Sequence, residues 1–77
     1  MGTIDFSIII PLYNEMDVLR DNVDKLMHIL GTIDKKYEII LCDDSSTDDT
    51  GKIAHKLCMT YPTIIYLKFH NRIGKGG

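Results

Sequence analysis

The chain has 77 residues, 44 % hydrophobic and 26 % charged, with nine basic and eleven acidic side chains giving a net charge of −2. That length allows one small domain at most, which would bury roughly 60 % of its unfolded surface, and the composition is that of a folded chain rather than a disordered one. The near balance of charge excludes a strong overall field for nucleic acid or an anionic membrane. The longest apolar stretch, around Phe6–Leu12, is too short to span a bilayer and lacks the basic flank of a signal peptide. Cys42 and Cys58 form neither a C-x-x-C pair nor a disulfide framework, and they read as two reduced, mostly buried thiols of a cytosolic protein.

In chain order, the first apolar run is "FSIIIPL" (6–12), short, Ile-rich and bounded by turn formers, which predicts a strand. Over 15–31, Leu19, Val23, Leu26 and Leu30 recur at four, three and four residues and form one stripe of a helix. Asn14 is its expected N-cap, Asp17 lies in the favourable first turn and Gly31 suits the stop. "YEIILC" (37–42) predicts a second strand. A second helix over roughly 48–61 carries Ile53, Ala54, Leu57 and Tyr61 on one face, with Ser46 or Thr47 as cap and Pro62 beyond its end. "TIIYLKF" (63–69) predicts a third strand. Apolar runs without alternation at 8–10 and 39–41 imply a parallel sheet covered on both faces.

The result is a β-α-β-α-β unit with a three-stranded parallel sheet. Crossovers between parallel strands are right-handed, so the order 3-2-1 places both helices on one face. The other face is then bare and the outer edge of the first strand unpaired. With "GKGG" at the end of the sequence, these features predict the front of a larger α/β domain. The alternative is a small domain that dimerises across its bare face.

Ligands of open parallel sheets bind at the carboxyl ends of the strands. The segments there are "PLYNE" (11–15), "CDDSSTDDT" (42–50) and "HNRIGKGG" (70–77). In the first, Pro11 fixes the backbone, and Tyr13, Asn14 and Glu15 suit either a capping turn or a nucleoside site. In that site, the Tyr13 ring would stack on a base and Glu15 would accept from a ribose hydroxyl. In the second, Asp48 and Asp49 fit the start of a helix, where the dipole favours negative charge. Asp43 and Asp44 precede that cap. Neighbours on an extended chain point to opposite sides, so one carboxylate can anchor the loop while the other faces the cleft. The outward one could accept a base N–H or bind a divalent cation. In the third, Arg72 and Lys75 among Gly74, Gly76 and Gly77 suit either a pyrophosphate or a surface loop, without the spacing of a P-loop or of G-x-G-x-x-G. His28, His55 and His70 have no metal-ligand spacing.

Taken together, "SIIIPLYNE", "YEIILCDDSSTDDT" and "NRIGKGG" resemble the start of the family 2 glycosyltransferases of the GT-A fold. Within that family they are most similar to the polyprenyl-phosphate sugar synthases that serve dolichol-phosphate mannose or glucose. The resemblance covers nearly the whole chain. It implies the Rossmann-like nucleotide-binding half of a GT-A domain, with residues 1–77 as the N-terminal part of one truncated glycosyltransferase domain. It also implies transfer of a hexose from a nucleoside diphosphate sugar, of the GDP-mannose or UDP-glucose class, to a polyprenyl phosphate or other acceptor. Pro11, Tyr13 and Glu15 stand where the family holds the nucleoside, Cys42 where a backbone group touches the base, and Asp44 where an aspartate reads the base edge. Asp43 is then the loop anchor, and Arg72 and Lys75 fall near the family's basic glycine-rich segment. A cytoplasmic location follows, with membrane association on the cytoplasmic face if the acceptor is a lipid phosphate.

Two departures stand out. The family's D-D-G-S-x-D-G-T has glycine where this chain has Ser45 and Asp49, so Ser45 must accept whatever backbone angle the loop demands. No D-x-D occurs in residues 1–77, so the ligands of the Mg or Mn ion expected in the full-length enzyme are absent from this chain, which alone is expected to be inactive. Other classes compete with this reading, and a haloacid-dehalogenase-type phosphatase fails because it wants D-x-D directly after the strand where this chain has "DDSS". A non-catalytic nucleotide-binding or interaction module keeps the same site without the transfer. A signalling receiver needs its acidic pair after the first strand and an acid ending a later one, and "LKFHN" offers none.

Overall fold

A computed structural model describes residues 3–69. Three strands and two helices alternate as β1 (Phe6–Leu12), α1 (Leu19–Leu30), β2 (Tyr37–Asp44), α2 (Thr50–Thr60) and β3 (Ile64–Phe69). The strands form one parallel sheet in the order β1-β2-β3, the expected 3-2-1 arrangement viewed from its other edge. The register runs from Phe6 opposite Tyr37 to Leu12 opposite Asp43, and from Ile39 opposite Ile64 to Asp44 opposite Phe69.

Both helices cover one face of this sheet. Leu12, Ile39, Leu41 and Ile64 pack with Leu19, Val23 and Leu30 from α1 and with Ala54 and Leu57 from α2. Ile39 and Leu41 are fully buried, and each contributes on the order of 1.5–3 kcal/mol by leaving water. The opposite face carries Ile9, Ile65, Leu67 and Phe69, all exposed. Register sets Ile9, Ile40 and Ile65 in one row across it, and Pro11, Cys42 and Leu67 in the next. This is the one-sided covering that the handedness of the crossovers requires.

The helix boundaries differ from the sequence expectation in informative ways. α1 begins at Leu19, because residues 13–18 form a turn in which the carbonyl of Glu15 accepts from the N–H groups of Val18 and Leu19. Asn14 is therefore not its N-cap. Gly31 ends the helix in right-handed geometry, its N–H donating to the Met27 carbonyl. α2 stops where Tyr61, immediately before Pro62, turns extended at φ −120° and ψ 105°, the conformation forced on a residue that precedes proline. The Tyr61 hydroxyl reaches back to Asp24 Oδ1 at 3.1 Å and ties the end of α2 to α1.

Candidate functional site

Because the strands are parallel, the segments that follow β1 and β2 leave the same edge of the sheet. Leu12 stands opposite Asp43, so Tyr13 and Asp44 are the next residues out along adjacent strands. Six hydrogen bonds stitch the two loops together. Asn14 donates its N–H to Ser46 Oγ at 2.9 Å, and Glu15 donates its own to Thr50 Oγ1 at 2.8 Å. The Met16 N–H reaches Asp48 Oδ2 at 3.4 Å. In the other direction, the Asn14 side-chain oxygen accepts from the N–H groups of Thr47 at 2.8 Å and Asp48 at 3.3 Å, and from the Thr47 hydroxyl at 3.5 Å.

This clasp explains two unusual backbones. Asn14 has φ 50° and Ser45 has φ 62°, left-handed values that side chains other than glycine adopt at a cost of about 1–2 kcal/mol. Asn tolerates that region better than most residues, and here its amide also satisfies backbone donors of the opposite loop. Ser45 stands at the position where the family motif has glycine. Its hydroxyl donates to the carbonyl of Phe69 at 2.7 Å, tying the strained turn to the end of β3.

The acidic cluster divides into distinct roles. Asp43 is completely buried on the helix side of β2. Its Oδ1 accepts the Ser46 N–H at 2.9 Å and its Oδ2 the Tyr66 hydroxyl at 2.5 Å. Burial pushes its pKa up, but the hydrogen bonds from Ser46 and Tyr66 and the nearby Lys68 ammonium outweigh this and hold it below its ordinary value. Burial, together with the same bond, raises the Tyr66 phenol far above its ordinary value. Asp44, the next residue, is exposed on the other side of the strand. Asp48 Oδ1 accepts from both the N–H (2.9 Å) and the hydroxyl of Thr50, while its Oδ2 takes the Met16 N–H. Asp48 thus joins the loops just ahead of α2, whose cap position is Asp49 and not the expected Ser46 or Thr47, and the exposed Asp49 pairs only loosely with Lys52 at 3.8 Å.

The structure brings five of the expected residues to one edge. Tyr13 is half exposed there and Asp44 is exposed beside it. Glu15 is half-buried and lines, with Pro11, a cavity of about 180 Å³ between β1 and α1. Cys42 is half-buried in the row of Pro11 on the open face. Arg72 and Lys75 lie outside the described residues, as does His70. His28 and His55 are exposed on the helices. Among the described residues, no group of three or more His, Cys, Asp or Glu side chains could hold a metal ion, and no helix is long and apolar enough to cross a membrane.

Sequence reasoning missed Ser46, Thr50 and Tyr66 as builders of this edge. Thr50 is fully buried. Tyr66 offered a signal, since it alternates with Ile64 on the inward side of β3 and an inward phenol needs an acceptor.

Fold and site together define an open parallel α/β protein with two interlocked loops at the carboxyl edge of its sheet. The chain belongs to glycosyl transferase family 2, whose model matches residues 7–77. It is 33 % identical over 82 aligned residues to the human dolichyl-phosphate beta-glucosyltransferase, covering 97 % of this chain and 25 % of that protein. The corresponding Dictyostelium discoideum protein is 37 % identical over 84 residues, covering 100 % of this chain and 26 % of its own length. An undecaprenyl-phosphate 4-deoxy-4-formamido-L-arabinose transferase of Edwardsiella ictaluri is 40 % identical over 52 residues, or 66 % of this chain and 16 % of that enzyme. The chain spans about a quarter of the length of the dolichyl-phosphate relatives.

Proposed function

We propose that this chain supplies the nucleoside-binding part of a glycosyltransferase that moves a hexose from a nucleoside diphosphate sugar to a polyprenyl phosphate. The observation that carries the reading is the clasp between Asn14 and residues 46–48, which joins the loops bearing Tyr13 and Asp44 at one edge. Family membership supports the transfer class, and the acceptor class draws on relatives named for dolichyl and undecaprenyl phosphates.

In this reading the Tyr13 ring stacks on the base and Asp44 accepts a base N–H. Glu15 accepts from a ribose hydroxyl, Pro11 stiffens the approach, and the backbone at Cys42 touches the base. Arg72 and Lys75 neutralise the diphosphate. A divalent cation, Mg or Mn, would offset charge on the leaving nucleotide, and its ligands are assigned to residues outside this chain. In this reading the protein is cytoplasmic, with association at the cytoplasmic face of a membrane where the acceptor is a lipid phosphate.

Titration of UDP-glucose and GDP-mannose into the full-length protein, wild type against Asp44→Ala, tests the assignment. A hydrogen bond to a carboxylate is worth about 1.5–3 kcal/mol, so the variant should bind its nucleotide at least about tenfold more weakly. Equal affinity of the two proteins refutes the role of Asp44 and, with it, the nucleoside site.

A further inference from the structure

Asp43 and Asp44 are consecutive residues at the end of β2, one buried and one exposed. Because their side chains leave opposite faces of one backbone, a rotation of the strand end that relocates the first carboxylate swings the second as well. What holds the first is therefore relevant to the second. Asp43 is gripped on one oxygen by the Ser46 N–H and on the other by the Tyr66 hydroxyl. Between the grips sits Ser45 in its left-handed conformation, a backbone state that persists only where its surroundings over-determine it.

Tyr66 is itself well fixed. Its ring meets His55 edge to face, with centroids 5.5 Å apart and planes at 62°. Its hydroxyl lies 3.0 Å from the point a Cβ on Gly51 would occupy, so the absence of a side chain at 51 leaves room for it. Without the hydroxyl, a fully buried carboxylate loses one of its donors. Such a group relieves the loss by rotating or taking up a proton, and either change loosens its hold on Ser46.

We propose that Tyr66 is a positioning residue for nucleotide recognition, acting through Asp43 to fix the backbone from which Asp44 reads the base. The proposal rests on the reading of Asp44 given above. Its distinctive consequence is that Tyr66 matters for the ligand only while Asp44 is present.

A double-mutant cycle on the full-length protein tests this by calorimetric titration of UDP and GDP into wild type, Asp44→Ala, Tyr66→Phe and the double variant. Tyr66→Phe is expected to weaken the better-bound nucleotide about three- to tenfold in the wild-type background and to have no further effect in the Asp44→Ala background. Binding of pyrophosphate alone should not change. A role in stability alone would instead give the same loss in both backgrounds, and that result overturns the proposal, as does wild-type affinity of Tyr66→Phe. If Asp44→Ala binds like wild type, the nucleoside reading falls and this one with it. A weak Asp44→Ala beside an unaffected Tyr66→Phe removes the Tyr66 proposal alone. Should Tyr66→Phe not fold, Gly51→Ala carries the test, because its methyl crowds the hydroxyl while favouring the helix. Weaker binding that depends on Asp44 then supports the proposal, and unchanged binding overturns it.

Discussion

The side-chain oxygen of Asn14 accepts the N–H of Thr47 at 2.8 Å across 33 residues of sequence. That contact turns two turns of ordinary composition into one structure. Backbone N–H groups in a loop have no ladder or helix partner and must find acceptors elsewhere, and in this chain each loop supplies acceptors for the donors of the other. Ser46 and Thr50 serve Asn14 and Glu15, while Asn14 serves Thr47 and Asp48. This edge of the sheet is thus held by a network whose members are shared between loops, so disturbing one member is felt on both sides.

Asn14 contributes in two separable ways, through its amide and through its tolerance of φ 50°. Asn14→Gly removes the amide but keeps the backbone comfortable, and it should cost about 1–2 kcal/mol for the lost bonds. Asn14→Ala removes the amide and adds the left-handed penalty of about 1 kcal/mol. Urea unfolding should therefore rank wild type above Asn14→Gly above Asn14→Ala. An alanine variant as stable as the glycine variant would mean that the positive φ stores no strain.

Ser45 presents the converse case. Glycine would relieve its φ of 62° but lose the hydroxyl bond to Phe69, two effects of about 1 kcal/mol each and of opposite sign. Ser45→Gly should therefore stay within about 1 kcal/mol of wild type, while Ser45→Ala, which loses the bond and keeps the strain, should fall below it by about 1 kcal/mol. Chemical denaturation of the three proteins measures this, and the order of the two variants decides it.

Thr50 is a fully buried polar residue whose hydroxyl accepts the Glu15 N–H and donates to Asp48. Thr50→Val keeps the shape, strands the Glu15 N–H and leaves Asp48 Oδ1 with only the Thr50 N–H, so it should cost about 1–3 kcal/mol. Thr50→Ser keeps the hydroxyl and should cost less. Because the Glu15 amide is the stranded group, its hydrogen exchange should accelerate in Thr50→Val more than exchange at Ile39 in the sheet. Uniform acceleration would show that the loss is global and that the clasp has no local stability of its own.

Strands, helices and their order were legible because hydrophobic pattern decides them: Ile39 and Leu41 are buried where an Ile-rich run ends in turn formers. Even the bare face follows from crossover handedness. The loops were less legible, since their bonds join residues more than 30 positions apart, and no local rule pairs Asn14 with Thr47. Local capping logic assigned Asn14 to the helix that follows it, whereas tertiary contact gave it to the opposite loop. The split between Asp43 and Asp44 could be argued from strand alternation. The phenol holding Asp43 comes from β3, and only the sheet register brings it there.

Protonation gives this network a signature with opposite signs at the two ends of the pH scale. Burial alone would raise the Asp43 pKa, but Ser46, Tyr66 and Lys68 bring it below 3.8. Asp48 moves the same way, with burial again opposed by its bonds to Thr50 and Met16. The unfolded chain then binds these protons more tightly than the folded one, so stability rises with pH across that interval. Both contributions are complete above the unfolded pKa near 3.8 and vanish as pH drops through the lower folded values. Tyr66 has the reverse sign: burial and Asp43 raise its pKa above 10.0, so its contribution is complete below pH 10.0 and declines as pH rises toward the folded value. Asp43→Asn should therefore be less stable than wild type at pH 7 and show a flatter acid limb, with the slope from Asp48 remaining. Tyr66→Phe should flatten the alkaline limb, leaving the slopes of Cys58, whose pKa is raised by burial, and of Tyr61, whose pKa is raised mainly by its bond to Asp24. Urea midpoints measured from pH 2.5 to 11 separate the two limbs, and an Asp43→Asn protein with the wild-type acid slope would mean that its carboxylate is not held by the bonds described.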